Sequence, residues 1–523
     1  RNRYRTQAAS NACQETASCL DVAAYCAVLA VSGIARLSHC QGLLLLGGGM
    51  AIKRQAIYWS LWLFISALLG SWLAYAMLDE AVDKSIFMPG ELSPGHHQLA
   101  DACDSCHTDS FGGGEVLQQA CIDCHGEDRV KPFDSHPAKK FKDPRNAELL
   151  ENINALECTT CHSEHKPEIT VKDGVTQPMD ICYHCHQDIA SERPSHQGMG
   201  FDTCKDSGCH NFHNNRALYT DYLIKHINEG ALHEQRTLPP KEFATILEEI
   251  MEYPRDRYPV ERLDEDDIDA VDRLGANSEL KMEWLETAHA RSGVNCSACH
   301  VEQRDDKSSS SWNDHPGHTA CETCHSIEVD RFMKGKHGMR LKHGLSPMKP
   351  SAALLPMKKD AAHAELTCTS CHGAHSFDVN TAAVESCLGC HDDQHSVAYK
   401  QSPHYELWIK EMRGESDEGT GVSCASCHMP RVDYDVSEWM SRVVVDHNQS
   451  ANLSPNSKMI RSSCQHCHGL EFSIGALADT SLINNNFDTR PSANVASMEL
   501  ARKEIKRREQ EAVEDDDADM FGF

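Results

Sequence analysis

The chain has 523 residues and a formal net charge of −28, from 78 acidic and 50 basic side chains. A surface of that sign argues against nucleic acid and anionic lipid as partners; it suits a positively charged protein, cationic small molecules, or simply the solubility of an exported protein. Aromatic residues make up 6% while Cys and His number 26 and 32, so the length does not translate into several domains with ordinary apolar cores.

Residues 1–49 differ from the rest of the chain. They hold Cys13, Cys19, Cys26 and Cys40, lack an initiating Met, and give way at Met50 to "MAIKRQAIYW", the pattern with which an export signal opens. They are expected to be a non-native or unstructured extension. Residues 50–80 read as a signal anchor: Ala56–Leu78 is 23 residues without a charge, preceded by Lys53 and Arg54 and followed by Asp79 and Glu80. That length crosses a bilayer, with Trp59, Trp62, Trp72 and Tyr75 as interface anchors. The basic flank places the N-terminus inside and the remainder on the periplasmic side of a cytoplasmic membrane. Cleavage after "AYA" (Ala74–Ala76) is the alternative, giving a soluble exported protein, but the apolar run exceeds a signal core.

From Cys103 onward one pattern dominates, Cys-x-x-Cys-His. It occurs ten times: Cys103/Cys106/His107, Cys121/Cys124/His125, Cys158/Cys161/His162, Cys182/Cys185/His186, Cys296/Cys299/His300, Cys321/Cys324/His325, Cys368/Cys371/His372, Cys387/Cys390/His391, Cys424/Cys427/His428 and Cys464/Cys467/His468. An eleventh, "CKDSGCH", spaces Cys204 and Cys209 more widely before His210. A random shuffle of this composition gives the pattern about 0.08 times. Two such cysteines with a His directly after them attach a c-type haem, the sulfurs holding the porphyrin and the His serving as proximal iron ligand. Zinc also uses Cys-x-x-Cys pairs, but gives no reason for a His after every second Cys. Disulfides are excluded because the motifs consume every Cys beyond Met50. The expected cofactor is haem c, eleven copies covalently attached. At about 33 residues per motif, the porphyrins must themselves be the core. The expected fold class is mainly α with much irregular loop: a multihaem cytochrome c with closely stacked haems and one N-terminal transmembrane helix.

Five motifs lie in residues 81–240, read as a five-haem electron-transfer domain. Residues 241–290 form a helical connector without Cys, and 291–495 a six-haem domain. Residues 496–523 are expected to be a charged, solvated helix and an acidic tail. No sustained strand alternation is visible. A second His on each iron would complete low-potential sites, and beyond the proximal residues and His39, 20 histidines remain. His165, His213 and His375 each follow a proximal His by three residues, a spacing that on a helix puts both on one face. His395, His404 and His447 join them as candidate distal ligands. His96 or His97, His136, His196, His226, His289, His318, His343 and His363 are weaker ones, and His184 and His466 sit inside attachment loops.

The stretch "CLGCHDDQHSVAYKQSPH" (Cys387–His404), then "GVSCASCHMP" (Gly421–Pro430), then "CQHCHGLEF" resembles the C-terminal haem region of the hydroxylamine oxidoreductase family, which includes octahaem and pentahaem nitrite reductases. The resemblance covers roughly residues 285–500 and rests on the Cys-x-x-Cys-His-Met-Pro motif with His395, Tyr399 and His404. It implies a stacked haem chain with one reactive iron; counting back from Cys424 assigns it to His325. The first five motifs resemble small class III-type electron-transfer modules. Departures are plain. Every motif here ends in His where the pentahaem reductases have a proximal Lys at the reactive haem, and "GESDEGTGVS" (Gly414–Ser423) lacks their His before the motif. No Tyr follows Tyr434, so the cross-linked Tyr of the oxidising enzymes has no counterpart.

The primary expectation is thus a membrane-anchored periplasmic electron carrier with redox partner proteins, among them a quinol-oxidising donor in the membrane. The alternative is a multihaem reductase of nitrite, hydroxylamine or a related nitrogen or sulfur oxyanion. No nucleic-acid partner is expected, and a homo-oligomer is compatible with the sequence.

Overall fold

The structure is a computed structural model that describes residues 49–78, 84–109, 113–130, 143–193, 196–198, 200, 212–213, 220–239, 261–272, 278–303, 310–437, 440–453, 455–493 and 495–520. The eleventh motif, His136, the four N-terminal cysteines and most of the 241–290 connector therefore lie outside the described residues. The chain divides into two units, residues 1–83 and 84–523.

In the first unit, α1 (Gly49–Leu78) is a continuous helix whose Gln55–Ala76 segment is long and apolar enough to cross a membrane. Its apolar side chains are exposed all round, Tyr58 at 69% and Trp59 at 65%, as expected of a helix with no protein face to bury. Trp59 and Trp62 meet edge to face at 5.7 Å.

The second unit is built from short helices and turns around the motifs. The longer helices are α2 (Gly114–Val130), α3 (Thr220–His226), α4 (Ser278–Leu285), α5 (His318–Lys334), α6 (Pro403–Met412), α7 (Leu470–Ala478) and α8 (Ala496–Met520). Strand is sparse but present. Hairpins pair β1 (Val301–Gln303) with β2 (Ser310–Trp312) and β3 (Arg431–Ser437) with β4 (Met440–Val445). The second was not expected from sequence. Its alternation lasts six or seven residues per strand and runs into Val443–Val445, a β-branched stretch that reads equally as a core segment. The hairpin is antiparallel from Arg431 opposite Val445 to Ser437 opposite Met440.

Apolar packing is local. The largest cluster joins Leu223 and Ile227 of α3 to Met459, Ile460, Leu470, Ile474 and Leu477, with Met498 and Ala501 of α8 closing it. The C-terminal helix is therefore not simply solvated. Met498, Ala501 and Ile505 recur at helical spacing and form an apolar stripe that needs a partner, while Arg508 reaches Asp221 at 3.0 Å. Residues 220–239, grouped by sequence with the first five motifs, pack against the last two. His233 N–H donates to Cys467 O at 2.9 Å and Leu238 N–H to Gly419 O at 2.8 Å.

One buried ion pair ties α5 to the β3–β4 hairpin. Arg331 donates from Nε and Nη2 to both oxygens of Asp446, at 2.8 and 2.6 Å, with both side chains under a tenth exposed. Asp446 closes β4 and immediately precedes His447, so the pair fixes where that imidazole sits. Asp446→Ala leaves a buried, unpaired guanidinium and should cost about 3–5 kcal/mol. The urea midpoint checks this, with Arg331→Met on the Asp446→Ala background expected to recover much of the loss.

Candidate haem sites

Most motif cysteines sit at the starts of short helical turns, and the His leaves each turn. In α5 the helical dihedrals break at His325 (φ −112°, ψ 41°), which swings the ring out of the helix line. The second and third motifs correct the expected pattern of one short turn per site. Cys124 lies with Cys121 inside α2, which runs on past His125 to Val130, so one continuous helix carries both sulfurs. Cys161 closes a single helical turn, Cys158–Cys161, and its carbonyl accepts from Thr176 N–H at 2.8 Å and Thr176 Oγ1 at 3.1 Å.

The physical reason is Gln118 of α2, which accepts from Cys158 N–H at 2.8 Å and donates to Leu156 O at 3.2 Å, clamping the helix to the third motif. That clamp sets Cys121 against Cys158, whose thiols hydrogen-bond across the two motifs. Cys124 instead faces the first motif, where burial, then Glu164, then Cys124 raise the Cys106 thiol. The expectation of a self-contained cysteine pair in each motif is thus corrected for Cys124 and Cys161, since their motif partners contact each other. Neither Cys124 nor Cys161 is in a disulfide.

The imidazole rings meet in pairs. Eight motif histidines each face a second histidine: His125 with His96 at 5.9 Å between ring centres, His162 with His213 at 6.2 Å, His300 with His375 at 5.9 Å and His325 with His289 at 6.0 Å. In the same way His372 faces His447 at 6.2 Å, His391 faces His337 at 6.3 Å, His428 faces His395 at 6.0 Å and His468 faces His404 at 6.2 Å. An imidazole nitrogen lies about 2.0 Å from a metal and roughly 1.1 Å from its own ring centre, so two rings across one metal are about 6.3 Å apart. The residues present fit a haem iron held between two imidazoles.

The nitrogens farther from those gaps are tethered. The Nδ1 atoms of His162, His300, His395, His447 and His468 contact the carbonyl oxygens of Gly174, Asn313, Ile483, Val445 and Ala231 at 3.1, 2.7, 2.5, 2.9 and 3.0 Å. A carbonyl can only accept, so Nδ1 carries the proton and Nε2 keeps the lone pair that ligates. His96 Nδ1 instead meets the Glu164 carboxylate at 2.7 Å. Burial alone would raise that carboxyl, but hydrogen bonds from His96 and Ser93 outweigh it and hold it down at about 2.

Sequence-based candidates separate here. Of His96 and His97, His96 faces a proximal ring, while His97 contacts Pro94 O at 2.9 Å and Ala352 O at 3.2 Å through its two nitrogens. His165 places Nδ1 2.8 Å from Gly90 O. The helical argument for the i+3 histidines needs correction. His165 (φ 61°) and His375 (φ 69°) lie beyond their helix ends in the left-handed region, where a turn and not a shared helical face directs them. His337 was missed altogether. The local signal is its glycine frame, "KGKHGM" (Lys334–Met339): a Cβ on Gly338 would lie 2.3 Å from Phe332 O, so the chain closes tightly around His337.

Neighbouring attachment sites touch elsewhere too. The Cys321 thiol hydrogen-bonds to Cys368, and Cys387 to Cys424. Burial and then Cys321 and Cys324 raise the Cys299 thiol; burial and then Cys387 raise Cys371. Burial and then Cys467 raise Cys427 to about 11. Among the described residues no group of three or more His, Cys, Asp or Glu converges as a metal cluster, which the zinc alternative would require.

Two segments, residues 95–187 and 360–436, match the cytochrome c3 family model. The chain is a multihaem c-type cytochrome. No curated protein and no solved structure matches it. The matched segments of the cytochrome contain seven of the ten regular motifs, which carries covalent haem c and multihaem electron transfer to both halves of the chain. The further resemblance to the hydroxylamine oxidoreductase family is not among the matches.

Burial, followed by the facing ring, lowers His337 and His404 to about 4; burial and then His395 do the same for His428. In the unfolded chain such imidazoles protonate near 6.5. As pH falls between these values the unfolded chain takes up protons that the folded one refuses, so this stability is complete above 6.5 and lost toward 4. The urea midpoint should fall across that window with a slope of about three protons; a flat midpoint would contradict neutral, buried imidazoles.

Proposed function

We propose that this cytochrome is a bis-histidine electron conduit of eleven haems, anchored by α1 on the periplasmic face of a cytoplasmic membrane. The observation that carries the reading is the set of eight imidazole pairs at 5.9–6.3 Å. Each haem c, when bound, supplies a one-electron Fe(III)/Fe(II) couple. The chain's own residues do the rest. Two cysteines fix the edge of each macrocycle, the motif His takes one axial position, and the paired His fills the other. The carbonyl tethers on Nδ1 hold the rings in the ligating tautomer. His107, His186 and His210 lie outside the eight pairs.

A filled sixth position excludes exogenous ligands, which suits electron passage and not substrate binding. His325, to which the family resemblance would assign a reactive iron, faces His289. That arrangement supports conduction over reduction of nitrite or hydroxylamine at this position. The contacts between Cys321 and Cys368 and between Cys387 and Cys424 favour an order in which sites adjacent in sequence are adjacent in space. The donor fitting an anchored chain is a quinol-oxidising membrane protein, and the acceptor a soluble or outer-membrane redox protein.

The haem-loaded protein should contain eleven haems per chain by pyridine haemochrome and show low-spin electron paramagnetic resonance signals that nitrite and hydroxylamine leave unchanged. His337→Ala should convert one haem to high spin. A wild-type high-spin signal that shifts with nitrite would overturn the conduit reading.

A further inference from the structure

The first three motifs meet at one carboxylate. Glu164 lies two residues beyond His162 of the third motif, yet its oxygens face the segment before the first. Ser93 donates to it twice, from N–H at 2.7 Å and from Oγ at 2.8 Å, and His96 Nδ1 lies 2.7 Å away. The return contact comes from the next residue, His165, whose Nδ1 is 2.8 Å from Gly90 O. A Cβ on Gly90 would lie 2.4 Å from His165 O, so the two segments are interlocked at van der Waals contact. His96 faces His125 of the second motif across 5.9 Å, and Glu164 also acts on the Cys106 thiol of the first, where burial and then this carboxylate raise it.

The contrast with the other sites is chemical. Five paired histidines donate to neutral backbone carbonyls, and His391 has Asp393 at a looser 3.5 Å. A full negative charge at hydrogen-bond distance from Nδ1–H pulls that proton away from the ring and makes Nε2 a stronger donor. A stronger donor favours ferric over ferrous iron.

We infer that Glu164 is a positioning residue that lowers the reduction potential of the haem held by His125 and His96, relative to the sites whose histidines donate to carbonyls. The inference rests on the bis-histidine reading, since a carboxylate on a non-ligating His would tune nothing. Glu164 makes the second-motif haem the reluctant electron acceptor among its neighbours. Electrons are thereby discouraged from resting at the junction of the first three sites.

Potentiometric titration of the haem-loaded full chain, followed optically and by electron paramagnetic resonance, tests this. Glu164→Gln should move one low-potential component upward by roughly tenfold in its ferric-to-ferrous ratio, about 59 mV for one electron, with the low-spin count unchanged and Glu164→Asp restoring the original value. Ser93→Ala strips the hydroxyl donor from the carboxylate and leaves its charge more fully to His96, so it should move the same component downward. Opposite signs distinguish tuning from simple loss of structure, and Ser93→Ala keeps the test open if Glu164→Gln does not accumulate. Curves that superimpose for both variants, while His96→Ala turns one haem high-spin, would overturn the inference and leave the ligand pairing standing. If His96→Ala leaves every haem low-spin, the pairing itself fails and the inference with it.

Discussion

Two imidazoles must stand about 6 Å apart with their lone pairs facing each other, and much of the chain's irregularity is the consequence. A proximal His is positioned by its own motif, but its partner arrives from elsewhere, along a segment of ordinary composition. The backbone accepts unusual conformations to deliver those partners. His165, His375, Phe377 and Phe487 all have positive φ, a region that costs an ordinary residue roughly 1–2 kcal/mol. Phe377 packs on His289 at 4.8 Å and Phe487 lies 6.1 Å from both His395 and His404. Strain of this kind persists where surrounding contacts over-determine the geometry, and here it gathers beside the paired rings.

The two groups of motifs are joined by a belt that belongs to neither in sequence. Residues 220–239 run from the far side of the eleventh motif onto the last two regular ones, where Ala231 O meets His468 Nδ1 at 3.0 Å. Pro239 O accepts from Arg431 at 2.5 Å, just beyond the Cys424/Cys427 turn. From the other direction, Arg340 donates to Gln98 O at 2.7 Å, bringing the middle of the C-terminal half against the first motif. A boundary near residue 240 read from spacing alone thus falls in a region whose upstream flank is already committed to the downstream half. The absence of Cys from a stretch reports where haem is not attached, and says nothing about what that stretch packs against.

Attachment was legible in the sequence because it is covalent and contiguous: two cysteines and a histidine within five residues state their chemistry without help from the fold. How each motif is carried was less so, because Gln118, which sets Cys121 against Cys158 and turns Cys124 elsewhere, reads as any polar helix residue. The second ligand is not written locally at all. Its partner lies tens of residues distant, and a His six residues from another, as His337 is from His343, carries no local mark that separates a ligand from a surface side chain. The β3–β4 hairpin went unread for a similar reason, since Val443–Val445 blurs the alternation that identifies a half-buried strand. Glu164 is the hardest case. Its meaning depends on Ser93 and His96, some 70 residues upstream, and nothing in "CHSEH" distinguishes it from a solvated acid.

The paired histidines also bear on how such a chain can be divided. In the C-terminal half the spans His289 to His325, His300 to His375, His337 to His391, His372 to His447 and His404 to His468 overlap end over end. A break anywhere between residues 289 and 468 therefore separates at least one ring from its mate. The described pairs of the N-terminal half leave such a gap, between His125 and His162. The downstream six sites thus behave as an indivisible mesh, which cannot gain or lose a single motif by simple duplication or excision. The upstream region is built more like separable beads, the arrangement from which a longer or shorter relative is more readily assembled.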